Sequence, residues 1–433
     1  MSGFLTTGKL VLTNTQGNQD AFDRLRVCNP VTLFEINHSI GKVPFLVDEI
    51  ISGSGATSKE HIDNSYIEMA ISAGSTGKVI RQSYEYVPYQ PGKSKLMIFS
   101  GVIETHGGLP NVISRIGCFD SSVEKTAVPS SGNGVFFELN GTDLYAVIRL
   151  NDVDGERVIR TSWNYDKFDG LGPSGLTLTI ADFANARLFA IDMEWLGVGR
   201  VRFGFFINGQ FYLGHSFDHS GIGGSAGITV PYTKTAKLPI RFELSCSSTA
   251  GLTGPEMRMI CGTIVSEGGY DPSGMSFSFG RSTGVSWTNG QRFIARAIIS
   301  IKLRDEDPHI RKSILLKSLT ILNQSARSVQ WDLYLFPNDT HLTTPGWQNI
   351  DINNSSTKYD ITGTLATTTN GVLLDCGYAD YSGGASFPYS KYLASPLVNS
   401  SINGTSRVLT LVAVNLTTNA VTVNGSLSWV EVS

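Results

Sequence analysis

Apolar and polar residues alternate along this chain in short runs. "KLMIFSGVIET", "GVFFEL", "LYAVIRL", "LTLTIADF", "RLFAIDMEWL", "RVRFGFFI", "QFYLGHSF", "PIRFELSC" and "FIARAIISIKL" succeed one another up to about residue 303. A period of two sends successive side chains to opposite faces of an extended strand, so these runs predict strands. Asn140-Gly141, Asp154-Gly155, Asp169-Gly170 and Asn208-Gly209 fall between them and predict tight turns. No window sustains an apolar period of 3.6; "SKEHIDNSYIEMAIS" (Ser58–Ser72) is the best helix candidate.

The densest charge run, "LRDEDPHIRKS" (Leu303–Ser313), contains Pro308 and predicts a domain boundary, giving domains over 31–305 and 306–433. Beyond it, "SVQWDLYLF" places Val329, Trp331, Leu333 and Leu335 on one strand face. "AVTVNGSLSWVEV" reads as a final hairpin turning at Asn424-Gly425. Residues 1–30, rich in Thr, Asn, Gln and Gly, predict an extended N-terminal arm that orders against something else. The expected fold is all-β: one β-sandwich, then a smaller one.

Composition narrows the classes. With 433 residues the chain exceeds one ordinary core. Charged residues are 16%, against about 25% in typical globular proteins, so hydroxyls and amides must cover much of the surface. A net charge of −3 gives no electrostatic reason to expect nucleic acid. The N-terminus lacks a secretory pattern, and no apolar stretch reaches the roughly 18 residues of a membrane span. Five scattered cysteines without a C-x-x-C pair predict neither disulfides nor zinc. No metal and no cofactor are expected, and assembly in a reducing cytoplasm is.

The chemistry-bearing candidates are few. Along Arg187–Leu196, Phe189, Ile191, Met193 and Trp195 share the core face, and Asp192 and Glu194 the other. With "GVG" as the turn and Trp195 facing Val201, Glu194 lies opposite Arg202 and diagonal to Arg200, as paired surface charges. "YEYVPYQPGKSK" gathers Tyr84, Tyr86 and Tyr89 in a Pro-bounded loop suited to stacking on a sugar or docking a partner. His215 and His219 share a strand face without a third metal ligand nearby, and "NDVDGE" (Asn151–Glu156) reads as a hairpin turn rather than a calcium loop. "GLGPSG" reads as a turn.

The strand order around this ribbon resembles the concanavalin-like jelly roll of legume lectins and laminarinase-type glucanases. In those glucanases one strand carries E-x-D-x-E; the matching positions here are Ala190, Asp192 and Glu194. A retaining glycosidase needs two carboxyl groups about 5 Å apart, and the nucleophile position holds alanine, so the strand is expected to be scaffold.

A second resemblance covers about residues 20–270. "DAFDRLRVCNPVTLFE" (Asp20–Glu35) resembles the D-A-F-G-R-L-R-V-S-x-P-x-T-L-F-D signature of virion proteins of tailed bacteriophages and large DNA viruses. Asp23, Cys28 and Glu35 depart from it. "YQPGKS", "RIGCFD", "GVFFEL", "SWNYDKFDGLGPSG" and "DMEWLGVGRVRFGF" resemble later blocks of that family. The resemblance implies a non-enzymatic particle component on the head, collar or tail, in the virion after assembly in the host cytoplasm. Phe22, Arg24, Leu25, Arg26 and Val27 would anchor it to other virion proteins, and the family analogy favours a homotrimer. The alternatives are a carbohydrate-binding adhesin, holding host glycan on the Asp192/Glu194/Arg200/Arg202 face or the tyrosine loop, and a polysaccharide depolymerase.

Overall fold

The computed structural model describes residues 3–6, 9–12, 19–20, 22, 30–103, 107–126, 131–221, 228–248, 254–271, 274–325, 327–379, 384–388 and 398–432. The expected all-β fold is what forms. Contacts divide the chain into two compact units at Asp271/Pro272, with Tyr84–Tyr86 grouping with the second.

The first unit is a sandwich of two antiparallel sheets. One has seven strands in the order Val153–Ile159, Asp143–Leu150, Gly134–Asn140, Val112–Phe119, Ile240–Cys246, Gly77–Ser83, Val47–Ser52. The other runs Gln210–Phe217, Val201–Ile207, Arg187–Met193, Lys95–Val102, Glu256–Ser266, Tyr66–Ile71, Ala56–His61, with Val31–Asn37 also on Glu256–Ser266. The chain passes repeatedly from one sheet to the other, which is the jelly-roll habit of the concanavalin-like sandwich. Between the sheets lies an aromatic core: Phe137 of the first sheet meets Phe203 edge-on at 5.1 Å and Phe189 at 5.3 Å. Such offset contacts favour one packing over others.

The second unit pairs a five-stranded sheet with a six-stranded one. Val329, Trp331, Leu333 and Leu335 are buried, as their alternation predicts. The expected boundary at 305/306 shifts to 271/272: Gly274–Gly280 pairs with Val421–Val432, and Ala295–Leu303 with Val408–Asn415. The charge run follows the first strands of the second unit rather than a linker, because Lys302, Arg304 and Arg311 find carboxylates at Asp339, Glu306 and Asp307.

Three local expectations are corrected. Ser58–Ser72 spans most of a hairpin, Ala56–His61 with Tyr66–Ile71, because Ile67, Met69 and Ile71 bury at a period of two. The final segment is one unbroken strand, Val421–Val432. Gly425 serves close approach instead of turning: a Cβ there would stand 2.9 Å from Ile298 Cγ2 and 2.9 Å from Leu411 Cδ2. The turn after Asp143–Leu150 falls at Asn151-Asp152, both with positive φ, and not at Asp154-Gly155. Within the arm, Gly3–Thr6 and Lys9–Leu12 pair as a two-stranded ribbon.

Candidate functional site

The face of the eight-stranded sheet that carries Asp192 can be laid out from strand register. One row across it reads Asn37, Cys261, Ser100, Leu188, Phe206, Phe211. The next reads Glu35, Thr263, Ile98, Ala190, Gly204, Leu213, and the third Thr32, Val265, Leu96, Asp192, Arg202, Ser216. Two of the three rows are mainly apolar or hydroxylated. Charge is concentrated in the third.

The predicted register is corrected by two residues. Asp192, not Glu194, lies opposite Arg202, and Met193 opposite Val201. The reason is a wider turn over residues 194–200, closed by Glu194 N–H to the Arg200 carbonyl at 2.9 Å and Gly199 N–H to the Trp195 carbonyl at 2.9 Å. Tyr232 Oη donates to the Glu194 carbonyl at 3.0 Å, so the turn is held from outside the ribbon as well. Arg200 consequently pairs with Asp218, Nε to Oδ1 at 2.6 Å.

Asp192 is fully buried and forms an ion pair with Arg202, whose Nε donates to Asp192 Oδ2 at 3.1 Å. Arg202 Nη2 also donates to the Gln19 carbonyl at 2.5 Å. Beside it, buried Ser94 stands 3.3 Å from Asp20 Oδ2 and 3.2 Å from Glu267 Oε2. The N-terminal segment at Gln19–Asp20 therefore sits over the acidic strand. What was expected to be a solvated charge pair is a covered one.

The tyrosine loop does not act as one surface. Tyr89 joins the 194–200 turn: its ring meets Trp195 edge-on at 5.9 Å, and its Oη accepts from Leu196 N–H at 3.3 Å. Tyr84 lies under the Arg407 guanidinium at 4.4 Å, and Tyr86 is flanked by Lys125 and Arg311 at 5.5 and 5.4 Å. Of the expected anchor, Phe22 is half-buried, with its N–H on Asp20 Oδ1 at 2.9 Å; Arg24, Leu25, Arg26 and Val27 lie outside the described residues.

The two histidines of "HSFDH" have separate surroundings. His215 Nδ1 accepts from Asn164 N–H at 3.3 Å, and burial lowers its pKa to about 4. His219 stacks on Tyr232 at 4.2 Å and stands 2.7 Å from the Gly199 carbonyl and 2.9 Å from Glu156 Oε1. Burial works against its protonation, but the Glu156 and Gly199 bonds outweigh it and raise its pKa. Among the described residues no three His, Cys, Asp or Glu side chains converge as a metal site.

Sequence reasoning missed a groove of about 290 Å³ on the same sheet face, lined by Glu35, Ile98, Ser100, Leu188, Cys261 and Thr263. Its signal was present in the alternation of Leu188 with Ala190, apolar at both outward positions. Without the register, nothing joined it to Ile98 and Glu35.

No family model and no curated protein matches this chain. Among solved structures, it is similar to peanut lectin at 13% identity, over 55% of this chain and 97% of that one, with a TM-score of 0.31. An endo-1,3-beta-glucanase from Streptomyces sioyaensis gives 8%, 55%, 96% and 0.33. A carbohydrate esterase of the Shiga toxin-encoding bacteriophage phi24B gives 12%, 55%, 99% and 0.30. Likenesses of this size place no activity on the chain.

Proposed function

We propose that this chain is a non-catalytic structural component of a virus particle of the bacteriophage type. It presents β-sandwiches on the particle surface and is attached through its N-terminal region to other virion proteins. The observation that supports this most is the state of Asp192. Of the two acidic positions retained from the glucanase-like pattern, Asp192 is buried, ion-paired with Arg202 and overlaid by Gln19–Asp20, and Glu194 lies past the strand's end in the 194–200 turn. A glycosidase acid must reach a sugar and have a second carboxyl group across the scissile bond. Here the face holds the protein's own N-terminal segment. The signature around Asp20–Glu35 supplies the particle context.

Mass spectrometry of purified particles is the test: the chain is expected among their proteins, and its absence from them overturns the reading. A second reading, glycan binding, is favoured by one observation, the edge-on pair of Tyr89 and Trp195 beside the exposed Leu196. Half-exposed aromatics can stack on a sugar ring. A glycan array on the assembled protein, repeated with Trp195→Ala, is expected to lose its hits in the variant; an array without hits removes this reading. Polysaccharide cleavage by the purified chain would contradict the non-catalytic assignment.

A further inference from the structure

Two features of the first unit complement each other. The first is a protruding loop. Leu171 is 91% exposed, at the tip of "DGLGPSG". An exposed leucine is ordinary by itself, but this one is held in place. Buried Asp166 accepts from Phe168 N–H at 2.7 Å and Ser174 N–H at 2.8 Å, closing the loop around its carboxylate. Asp169 Oδ1 accepts from Leu171 N–H at 2.9 Å. Gly172 is required, because a Cβ there would stand 2.2 Å from Asp166 Oδ1. Inward, Phe168 is buried against Trp163 and Phe205. The loop is a hydrogen-bonded peg whose apolar tip, among the described residues, stands clear of the rest of the chain.

The second feature is the groove, walled by Leu188, Ile98 and Cys261 with Glu35 at its edge. At 91% exposure Leu171 does not fill the groove of its own chain. Charge is complementary too. Lys167, in the same loop as Leu171, is exposed, and so is Glu35; neither has an ion-pair partner among the described residues. Asp169, the acid nearest the tip, is occupied with the Leu171 N–H.

We propose that Leu171 of one copy of this chain seats in the groove beside Leu188 and Ile98 of the next copy, with Lys167 meeting Glu35. Peg and groove are different surfaces, so the contact is heterologous, and its repetition gives a ring where the rotation between copies closes and a filament where it does not. This rests on the particle reading only for its setting; the contact is defined by residues of the chain itself.

The test is sedimentation equilibrium on the full-length protein and its variants. The wild type is expected as an oligomer. Leu171→Asp is expected to weaken association by roughly thirtyfold or more, the loss for a central apolar anchor. Its thermal unfolding, followed at a dilution where the wild type is also dissociated, is expected to be unchanged, since the tip packs on nothing. Lys167→Glu and Glu35→Lys are each expected to shift the equilibrium toward monomer, and the two together to restore it. A wild type that stays monomeric, a Leu171→Asp oligomer of undiminished mass, or a double reversal that fails to recover would each overturn the contact. Presence in purified particles is scored separately, so the particle reading stands or falls on other data.

Discussion

The two sheets of the first unit treat their outward faces in opposite ways. On the seven-stranded sheet, Glu243, Arg115 and Glu138 stand side by side across three adjacent strands. Arg115 donates to Glu138 at 2.7 Å and to Glu243 at 2.8 Å; Arg241 Nε donates to Glu243 at 2.9 Å and Arg157 Nε to Glu138 at 2.9 Å. Burial alone would push the Glu243 carboxyl up, but the Arg241 and Arg115 guanidiniums outweigh it and hold it well below the usual carboxylate range. On the eight-stranded sheet the central positions are Leu188, Ile98, Leu96 and Val265, with the Asp192–Arg202 pair to one side and the Arg258–Glu256 and His61–Glu68 pairs to the other. The first face satisfies itself. The second leaves Leu188 and Ile98 on an open groove between its charged ends.

That contrast can be broken at either face, and the expected effects fall in order. Glu243→Ala removes the carboxylate that two guanidiniums share, leaving Arg115 with Glu138 but buried Arg241 without its carboxylate, and is expected to cost about 3–5 kcal/mol in urea unfolding. Asp192→Asn strands one, and about 3 kcal/mol is expected. Replacing both partners, Asp192→Leu with Arg202→Met, is expected to return stability to within about 1 kcal/mol of wild type, since an apolar pair suits this face. A double variant as unstable as Asp192→Asn would show that the pair does more than fill its site. In the second unit, Gly425→Ala forces a methyl against Ile298 and Leu411 and is expected to cost about 1–3 kcal/mol.

The smallest effects are those of pH. His38 and His215 are kept neutral in the fold, each with its pKa lowered to about 4 from 6.5, mainly by burial. The unfolded chain takes up these protons first, so stability falls as pH drops from 6.5 toward 4. His219 runs the other way. Its raised pKa means that the folded chain holds the proton more tightly, a contribution complete below pH 6.5 and lost as pH rises through the folded value. Glu156→Gln is expected to flatten that alkaline loss and leave the acid limb unchanged in a pH series of melting curves.

Much of the fold was legible because alternation is a local property. Most runs that predicted strands form them, and Asn208-Gly209 turns as expected, both residues with positive φ; "LTLTIADF" instead gives an isolated bridge at Thr177 and a 3-10 turn over Ile180–Ala184. What failed was whatever depended on a distant residue. Asn424-Gly425 carries a turn signal, but Ile298 and Leu411 decide what Gly425 is for. Glu194 is expected opposite Arg202 from spacing, but Asp192 stands there instead, and Glu194 lies in a turn that Tyr232, far along the chain, holds by its carbonyl. For the candidate site, residue types were readable and their burial was not. Asp192 was expected beside an arginine and has one, at a register and depth that sequence spacing could not supply.

The chain order has a consequence for how the molecule is made. Ile240–Cys246 lies in the middle of the seven-stranded sheet, and Glu256–Ser266 inside the eight-stranded one. Each is the last strand its sheet receives. On the ribosome, every earlier strand therefore emerges before the two that join the halves of its sheet. The nascent polypeptide must carry its phenylalanines unsheltered until residue 266 is out, a state prone to aggregation. Fragments ending before Ile240 should consequently collapse or be degraded rather than fold as a half-sandwich, and chaperone demand should end abruptly with the final strand.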